Sequence, residues 1–230
     1  MIKKKLVIVS TSESSIRSFL IDHIKSLSNS NFEIFLITNF EFKKNIYKSL
    51  NIKLININFK RKINIFSDFY SLILLIFFLI KIRPYLTISI SPKAGLLNAI
   101  ASFLTKIKFR THIFTGQVWV SKRGIFRNIL KFFDKLISLL STNILIDGNS
   151  QKKFLIKNGI INNKINCKVI YNGSVCGVET KKFKKNSVIR KKIRKSLKIN
   201  TATTALIYVG RINKDKGIID LIDTYYKLRL

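Results

Sequence analysis

Acidic residues are scarce. Only 11 of the 230 residues are Asp or Glu, against 43 Lys or Arg, which leaves a formal charge of +32. Such an excess opposes compaction by self-repulsion and draws a protein to polyanions or to anionic membrane. Cysteine is nearly absent: Cys167 and Cys176 fit no metal-binding or Cys-x-x-Cys pattern, and so few thiols suit a reducing compartment. There is no Gly-x-Gly-x-x-Gly and no Gly-x-x-x-x-Gly-Lys-Ser/Thr, which excludes the dinucleotide fingerprint and the Walker loop. Helix-turn-helix, RRM and zinc patterns are missing too. No apolar run reaches the about 20 residues that a spanning helix needs. The longest covers residues 69–80 and is closed by Lys81 and Arg83. It is apolar on all sides, so it is either deeply buried or partly in contact with lipid, and burial is the preferred reading.

What remains is a chain that can fold. Apolar residues make up 47%, enough for a sizeable core and too many for a disordered polymer. The basic residues are spread along the chain. Two readings of the charge stay open: the drift of an Ile-, Lys-, Asn- and Phe-rich composition, as an AT-rich genome favours, and attraction to membrane. Nucleic-acid binding ranks below both, because aromatics such as Phe77, Phe78, Phe132 and Phe133 fall in apolar periodic runs and read as core.

In order, residues 6–9 read as a first strand, not as a signal peptide. A hydroxyl-rich turn, residues 10–15, leads into apolar positions at helical spacing, Ile16, Phe19, Leu20, Ile24 and Leu27. Strands follow at 33–38, 52–59, 86–91, 110–114, 143–146 and 168–171. Helices fall at 40–50, 66–81, 96–104, 124–140 and 150–158. The 66–81 helix ends before Pro84, and Gly159 suits a helix C-terminus. Residues 92–95 read as a turn and 115–124 as a polar loop with the only Trp. Residues 181–198 are strongly basic, with a helical stretch at 188–197. This alternation predicts an α/β fold with a doubly wound parallel sheet, whose ligands bind at the carboxyl ends of strands.

The most informative stretch is residues 208–217, Tyr-Val-Gly-Arg-Ile-Asn-Lys-Asp-Lys-Gly. Residues 205–209 read as a buried strand, Gly210 breaks it, and Gly217 opens a helix carrying Ile218, Ile219, Leu221 and Ile222. A strand that turns into a helix presents backbone N–H groups and the positive helix end to one small volume. Arg211 and Lys216 add a bidentate fork and a point charge, and together they suit a diphosphate.

The order of these motifs resembles bacterial glycosyltransferase family 4, with its two-domain GT-B fold. The matching stretches are Ile-Ser-Pro-Lys-Ala-Gly at 90–95, Arg-Thr-His-Ile-Phe-Thr-Gly-Gln-Val-Trp at 110–119, Asn-Gly-Ser-Val-Cys-Gly-Val-Glu-Thr-Lys-Lys-Phe at 172–183, and Val209-Gly-Arg with Lys216-Gly217. The resemblance spans essentially the whole chain. It implies a Rossmann-like N-terminal, acceptor-side domain over residues 1–180, a basic linker over 181–200, and over 201–230 the first βα unit of a second, incomplete Rossmann-like domain that holds the donor.

The implied activity is retaining transfer of a sugar from a nucleotide-sugar, usually a UDP-sugar, to a lipid-linked or polysaccharide acceptor in cell-surface glycan synthesis. Gly210, Arg211, Lys216 and Gly217 would bind the donor, with Arg211 and Lys216 stabilising the leaving diphosphate. Thr11, Ser12, Lys93, Gly95, Gly116 and Gln117 would line the acceptor side. The implied location is cytoplasmic and peripheral to the inner membrane. No metal or cofactor is expected and no Asp-x-Asp is present; the nucleotide-sugar is a substrate, and an anionic membrane surface is an expected partner.

Two departures stand out. Many family members carry His before the glycine matching Gly116, where this chain has Thr115; His112 reads as a structural residue of the strand. The family's paired-glutamate donor motif is absent from these residues, so the chain by itself is expected to turn over little or no substrate, and a second chain completing the donor domain is an implied partner. The alternatives are a basic noncatalytic membrane-surface protein, for which residues 122–135 offer an interfacial helix, and a nucleic-acid-binding protein.

Overall fold

The computed structural model describes residues 3–40, 47, 50–162 and 166–229. They fall into two compact units, one ending at Gly177 and the other beginning at Val178. The first holds a seven-stranded, all-parallel sheet in the order β3-β2-β1-β4-β5-β6-β7. The strands are β1 (Lys4–Ser10), β2 (Phe32–Thr38), β3 (Ile52–Asn56), β4 (Leu86–Ile90), β5 (Phe109–Phe114), β6 (Asn143–Ile146) and β7 (Asn166–Val169). This is a Rossmann-like α/β sheet, as the alternation predicts. Its strand order reverses between β1 and β4, where the chain steps from one half of the sheet to the other.

Strand β1 has nearly every residue buried because helices cover both its faces. Leu6 and Ile8 point to one side, among Ile16 of α1 (Glu13–Phe19), Ile24 of α2 (Ile21–Ser28) and Leu20 between them. Val7 and Val9 point to the other, among Leu75 and Leu79 of α3 (Ile65–Ile82) and Leu97 and Ala101 of α4 (Pro92–Leu104). A third cluster joins Ile137 of α5 (Gly124–Leu140) and Leu155 of α6 (Asn149–Lys157) to Ile144 and Ile146.

Several expectations need correction. The first helical stretch is two helices, broken at Leu20. Residues 92–95 are not a turn but the first turn of α4, where Pro92 gives up no needed N–H. The loop at 115–124 contains a 3-10 helix, Val118–Ser121, that sinks Trp119 into the core. The helix expected at 40–50 falls mostly outside the described residues.

The largest correction concerns α3. It is not buried on all sides: Ser71, Leu75, Leu79 and Ile82 face the core, while Phe69, Ile73, Phe77 and Ile80 are exposed. A helix lying on a sheet buries one stripe whatever its composition, and the opposite stripe then meets solvent. For the same reason Phe77 and Phe132 are surface residues, not core.

The second unit contains α7 (Ser187–Ser196), a 3-10 turn, Lys214–Lys216, and α8 (Ile218–Arg229). Asn186 caps α7 by accepting from Ile189 N at 2.9 Å. The Arg194 guanidinium is buried and donates to the carbonyls of Asn200, Thr201 and Thr203. Residues 205–209, expected as a buried strand, pair with no described strand, and Ile207 and Val209 are 86% and 85% exposed. An apolar strand needs a neighbour to satisfy its backbone and cover its side chains, and the described sheet ends at β7.

Candidate functional site

In a parallel sheet the carboxyl ends of the strands open into loops, and where strand order reverses those loops diverge and leave room. At the end of β1, Thr11 and Ser12 enter α1. Thr11 is a clasp: its Oγ1 sits 2.7 Å from Ser91 Oγ and accepts from Ala94 N at 3.2 Å. Its own N–H donates to Ser91 Oγ at 3.2 Å. The two strand ends flanking the reversal are thus stitched by side chains. Ser91 holds φ +79, a backbone conformation L residues rarely take, which marks this corner as constrained. Ser12 is buried, with its Oγ 2.9 Å from Ser14 Oγ and 3.1 Å from Ser15 Oγ.

Lys93 and Gly95 lie in the first turn of α4. Lys93 Nζ lies 2.7 Å from Asp68 Oδ1 and donates to the Lys62 carbonyl at 2.6 Å, so it ties α4 to the start of α3. Gly95 is buried and makes room: a Cβ there would lie 2.3 Å from His112 Cε1. His112 sits in β5 with Nδ1 2.9 Å from Ser89 Oγ, and burial pushes its imidazole down to about 3. The ring is therefore neutral and structural, as expected for a lone strand histidine.

Gly116 and Gln117 follow β5. Gly116 is exposed, and a Cβ added to it would meet no neighbour within 4 Å. Gln117 Oε1 accepts from Gln151 Nε2 at 3.4 Å, and its own Nε2 is buried with no hydrogen-bond partner. A buried donor left unmet costs about 1–3 kcal/mol unless a ligand or water meets it. Close by, the ends of β5, β6 and β7 frame an open depression of ≈ 370 Å³ lined by Thr115, Asp147, Gly148, Ser150, Gln151 and Ser174. Gly148 is the residue before α6, so the first N–H groups of that helix lie at the depression.

Asp147 organises the wall. Its Oδ1 accepts from Val175 N at 2.7 Å, its carbonyl accepts from Ser174 N at 2.6 Å, and its N–H donates to Gln151 Oε1 at 3.1 Å. Gly173 is required beside it: its φ is +112, and a Cβ would meet the Asp147 carbonyl oxygen at 2.6 Å. The sequence reading did not single out Asp147, Gly148, Ser150 or Gln151. The Asp-Gly-Asn-Ser run directly after an apolar strand was the available signal.

In the second unit, Gly210, Arg211, Lys216 and Gly217 share one short loop. The Arg211 carbonyl accepts from the Tyr208 hydroxyl at 2.7 Å, and Asn213 Oδ1 accepts from Lys214 N at 2.9 Å to start the 3-10 turn. Gly217 takes φ +72 and its carbonyl accepts from Leu221 N at 3.0 Å, so α8 begins directly after it. Arg211 and Lys216 are both exposed. Among the described residues no group of three or more His, Cys, Asp or Glu could hold a metal ion.

Against known structures, the chain superimposes on a sucrose-phosphate synthase from Thermosynechococcus elongatus with a TM-score of 0.68, at 14% identity, over 98% of this chain and 60% of that one. The shared feature is the fold. Alr3699/HepE of Anabaena, solved with UDP and glucose, matches with a TM-score of 0.62 at 15% identity, over 85% of this chain and 50% of that one. In sequence, the chain is 34% identical over 168 residues to the capsular polysaccharide biosynthesis glycosyltransferase CapM of Staphylococcus aureus. That match covers 72% of this chain and 43% of the relative, so the chain spans less than half of that protein's length. No protein-family model matches the chain.

Proposed function

We propose that this chain is the acceptor-side part of a glycosyltransferase that moves a sugar from a nucleotide-sugar, a UDP-sugar by preference, to a lipid-linked or polysaccharide acceptor in cell-surface glycan synthesis. The observation that carries the reading is the polar depression at the carboxyl ends of β5, β6 and β7, with hydroxyls from Thr115, Ser150 and Ser174 and the unmet Gln117 amide nearby. A hydroxyl-rich sugar has the donors and acceptors to meet such a wall. The likeness to CapM supports the same reading.

In this proposal an acceptor hydroxyl oxygen bonds the sugar's anomeric carbon with retention of configuration, the bond from that carbon to the phosphate oxygen breaks, and the nucleoside diphosphate leaves with the bonding electrons and takes up the hydroxyl proton. Arg211 and Lys216 stabilise the charge that builds on the departing diphosphate, a contribution of about 3 kcal/mol per well-placed donor. No metal is required, because the two cations neutralise that charge. Further residues, from a second chain or the same one, complete the donor site, and the reaction runs at the cytoplasmic face of the inner membrane.

The test is titration of the chain with UDP, followed by amide chemical shifts. Shifts at residues 210–217 are expected, and Arg211→Ala with Lys216→Ala should weaken binding about tenfold or more. Unchanged binding in that double variant would remove the diphosphate assignment. Turnover of a UDP-sugar by these 230 residues alone would refute the need for further residues at the donor site.

A further inference from the structure

We infer that the outer face of α3, with the exposed apolar stripe of α5, is a seat for an anionic lipid bilayer, which the protein contacts without crossing. The exposed apolar side chains of the first unit gather on this side of the sheet. On α3 they are Phe66, Phe69, Tyr70, Ile73, Phe77 and Ile80, at successive spacings of three, one, three, four and three residues, which makes one continuous stripe. Phe66 is 89% exposed. On α5, Ile125, Ile129 and Phe132 form a second stripe, and α4 lies between the two helices, more deeply buried than either.

Cations rim these stripes. Lys60, Arg61 and Lys62 precede α3, and Lys81 and Arg83 close it. Lys122, Arg123 and Arg127 surround the start of α5. Residues 60–142 hold 14 Lys or Arg and only 2 acidic residues. Both acids are already engaged, Asp68 with Lys93 and Asp134 with the Trp119 indole N–H at 2.8 Å. An apolar stripe with cations at its edges matches the two layers of a membrane surface, acyl chains beneath anionic headgroups. A second copy of this chain fits poorly, because it would bring two strongly net-positive faces together.

The helix lies on the membrane and does not span it. Its 18 residues are apolar enough to be a candidate span by length and composition. Leu75 and Leu79, however, are fully buried against Val7, Val9, Phe35 and Ile37, and a crossing would strip that core. The arrangement leaves one stripe for the protein and the opposite one for lipid. A chain lacking sugar transfer altogether would present the same face.

The experiment is co-sedimentation of the chain with vesicles of mixed phosphatidylglycerol and phosphatidylcholine, and with pure phosphatidylcholine. Partition onto the anionic mixture is expected, weakening as salt rises. Phe69→Ser with Phe77→Ser should lower it about tenfold or more while the thermal melt moves little, since both side chains are more than half exposed and neither belongs to the buried core. Phe19→Ser, on the opposite layer, should leave it unchanged. Equal partition onto neutral vesicles, full retention of binding by the α3 variant, or a dimer that ignores vesicles would each overturn the assignment.

Discussion

The two helical layers of the sheet bury comparable cores and show opposite surfaces. Under α1 and α2 the core is Leu6, Ile8, Ile34 and Leu36; outside, the helices present Arg17, Ser18, Asp22, Lys25 and Ser26, with Phe19 the one large apolar side chain exposed. Under α3 and α4 the core is Val7, Val9, Phe35 and Ile37; outside, α3 is aromatic and aliphatic along its length. Folding alone asks each helix for one apolar stripe. The second stripe on α3 adds nothing to the core, so its explanation lies outside the sheet.

The sharpest way to break this contrast is to mutate the two sides of α3 separately. Leu75→Ala should destabilise by about 4 kcal/mol, because it opens a cavity in a fully buried cluster. Phe77→Ala, two residues on, should change stability by no more than about 0.5 kcal/mol in urea unfolding. Equal costs would mean that α3 is buried on both sides after all.

Gly95→Ala tests how tightly the apolar-faced layer is fitted to the sheet. Its new methyl would press on the His112 ring, at an expected cost of about 3 kcal/mol. The same change on a His112→Ala background should cost far less, and a double-mutant cycle would read the difference.

A smaller effect concerns pH. Burial raises the Asp134 carboxyl from 3.8 to about 6, with the Trp119 N–H opposing the rise. The folded state therefore holds this proton more tightly than the unfolded state. That contribution is present below about pH 4 and is lost as pH climbs through about 6. Asp134→Asn keeps an acceptor for Trp119 and removes the charge, so it should raise stability at pH 7 by about 1–2 kcal/mol and flatten the profile between. An unchanged melting temperature at pH 7 would show that the carboxylate is better solvated than its 5% exposure implies.

The sheet was readable because β1, β2 and β4 are short β-branched runs bounded by polar turns, and because α5 and β6 keep a clean period from end to end. Composition could not say how far α3 is buried: a twelve-residue run interrupted only by Ser71 looks alike whether one side or both are covered. The positions of the residues expected to line the acceptor side were legible only in part. Thr11, Ser12, Gly116 and Gln117 do lie at the strand ends, but Lys93 and Gly95 are taken up by Asp68 and His112, partners 25 and 17 positions away that local spacing cannot reveal. Asp147 escaped notice because it holds the 173–175 loop through its carboxylate and its carbonyl, to backbone N–H groups 27 and 28 positions away that carry no residue-type signal.

The seat of α3 also has a direction in time. Val7, Val9, Phe35, Ile37, Ile57 and Phe59 all precede it in the chain. When residues 65–82 leave the ribosome, those partners have already emerged, and the inner stripe can dock at once. Nothing synthesised so far covers the outer stripe, so a greasy ridge travels on a nascent protein whose last strands are still unmade.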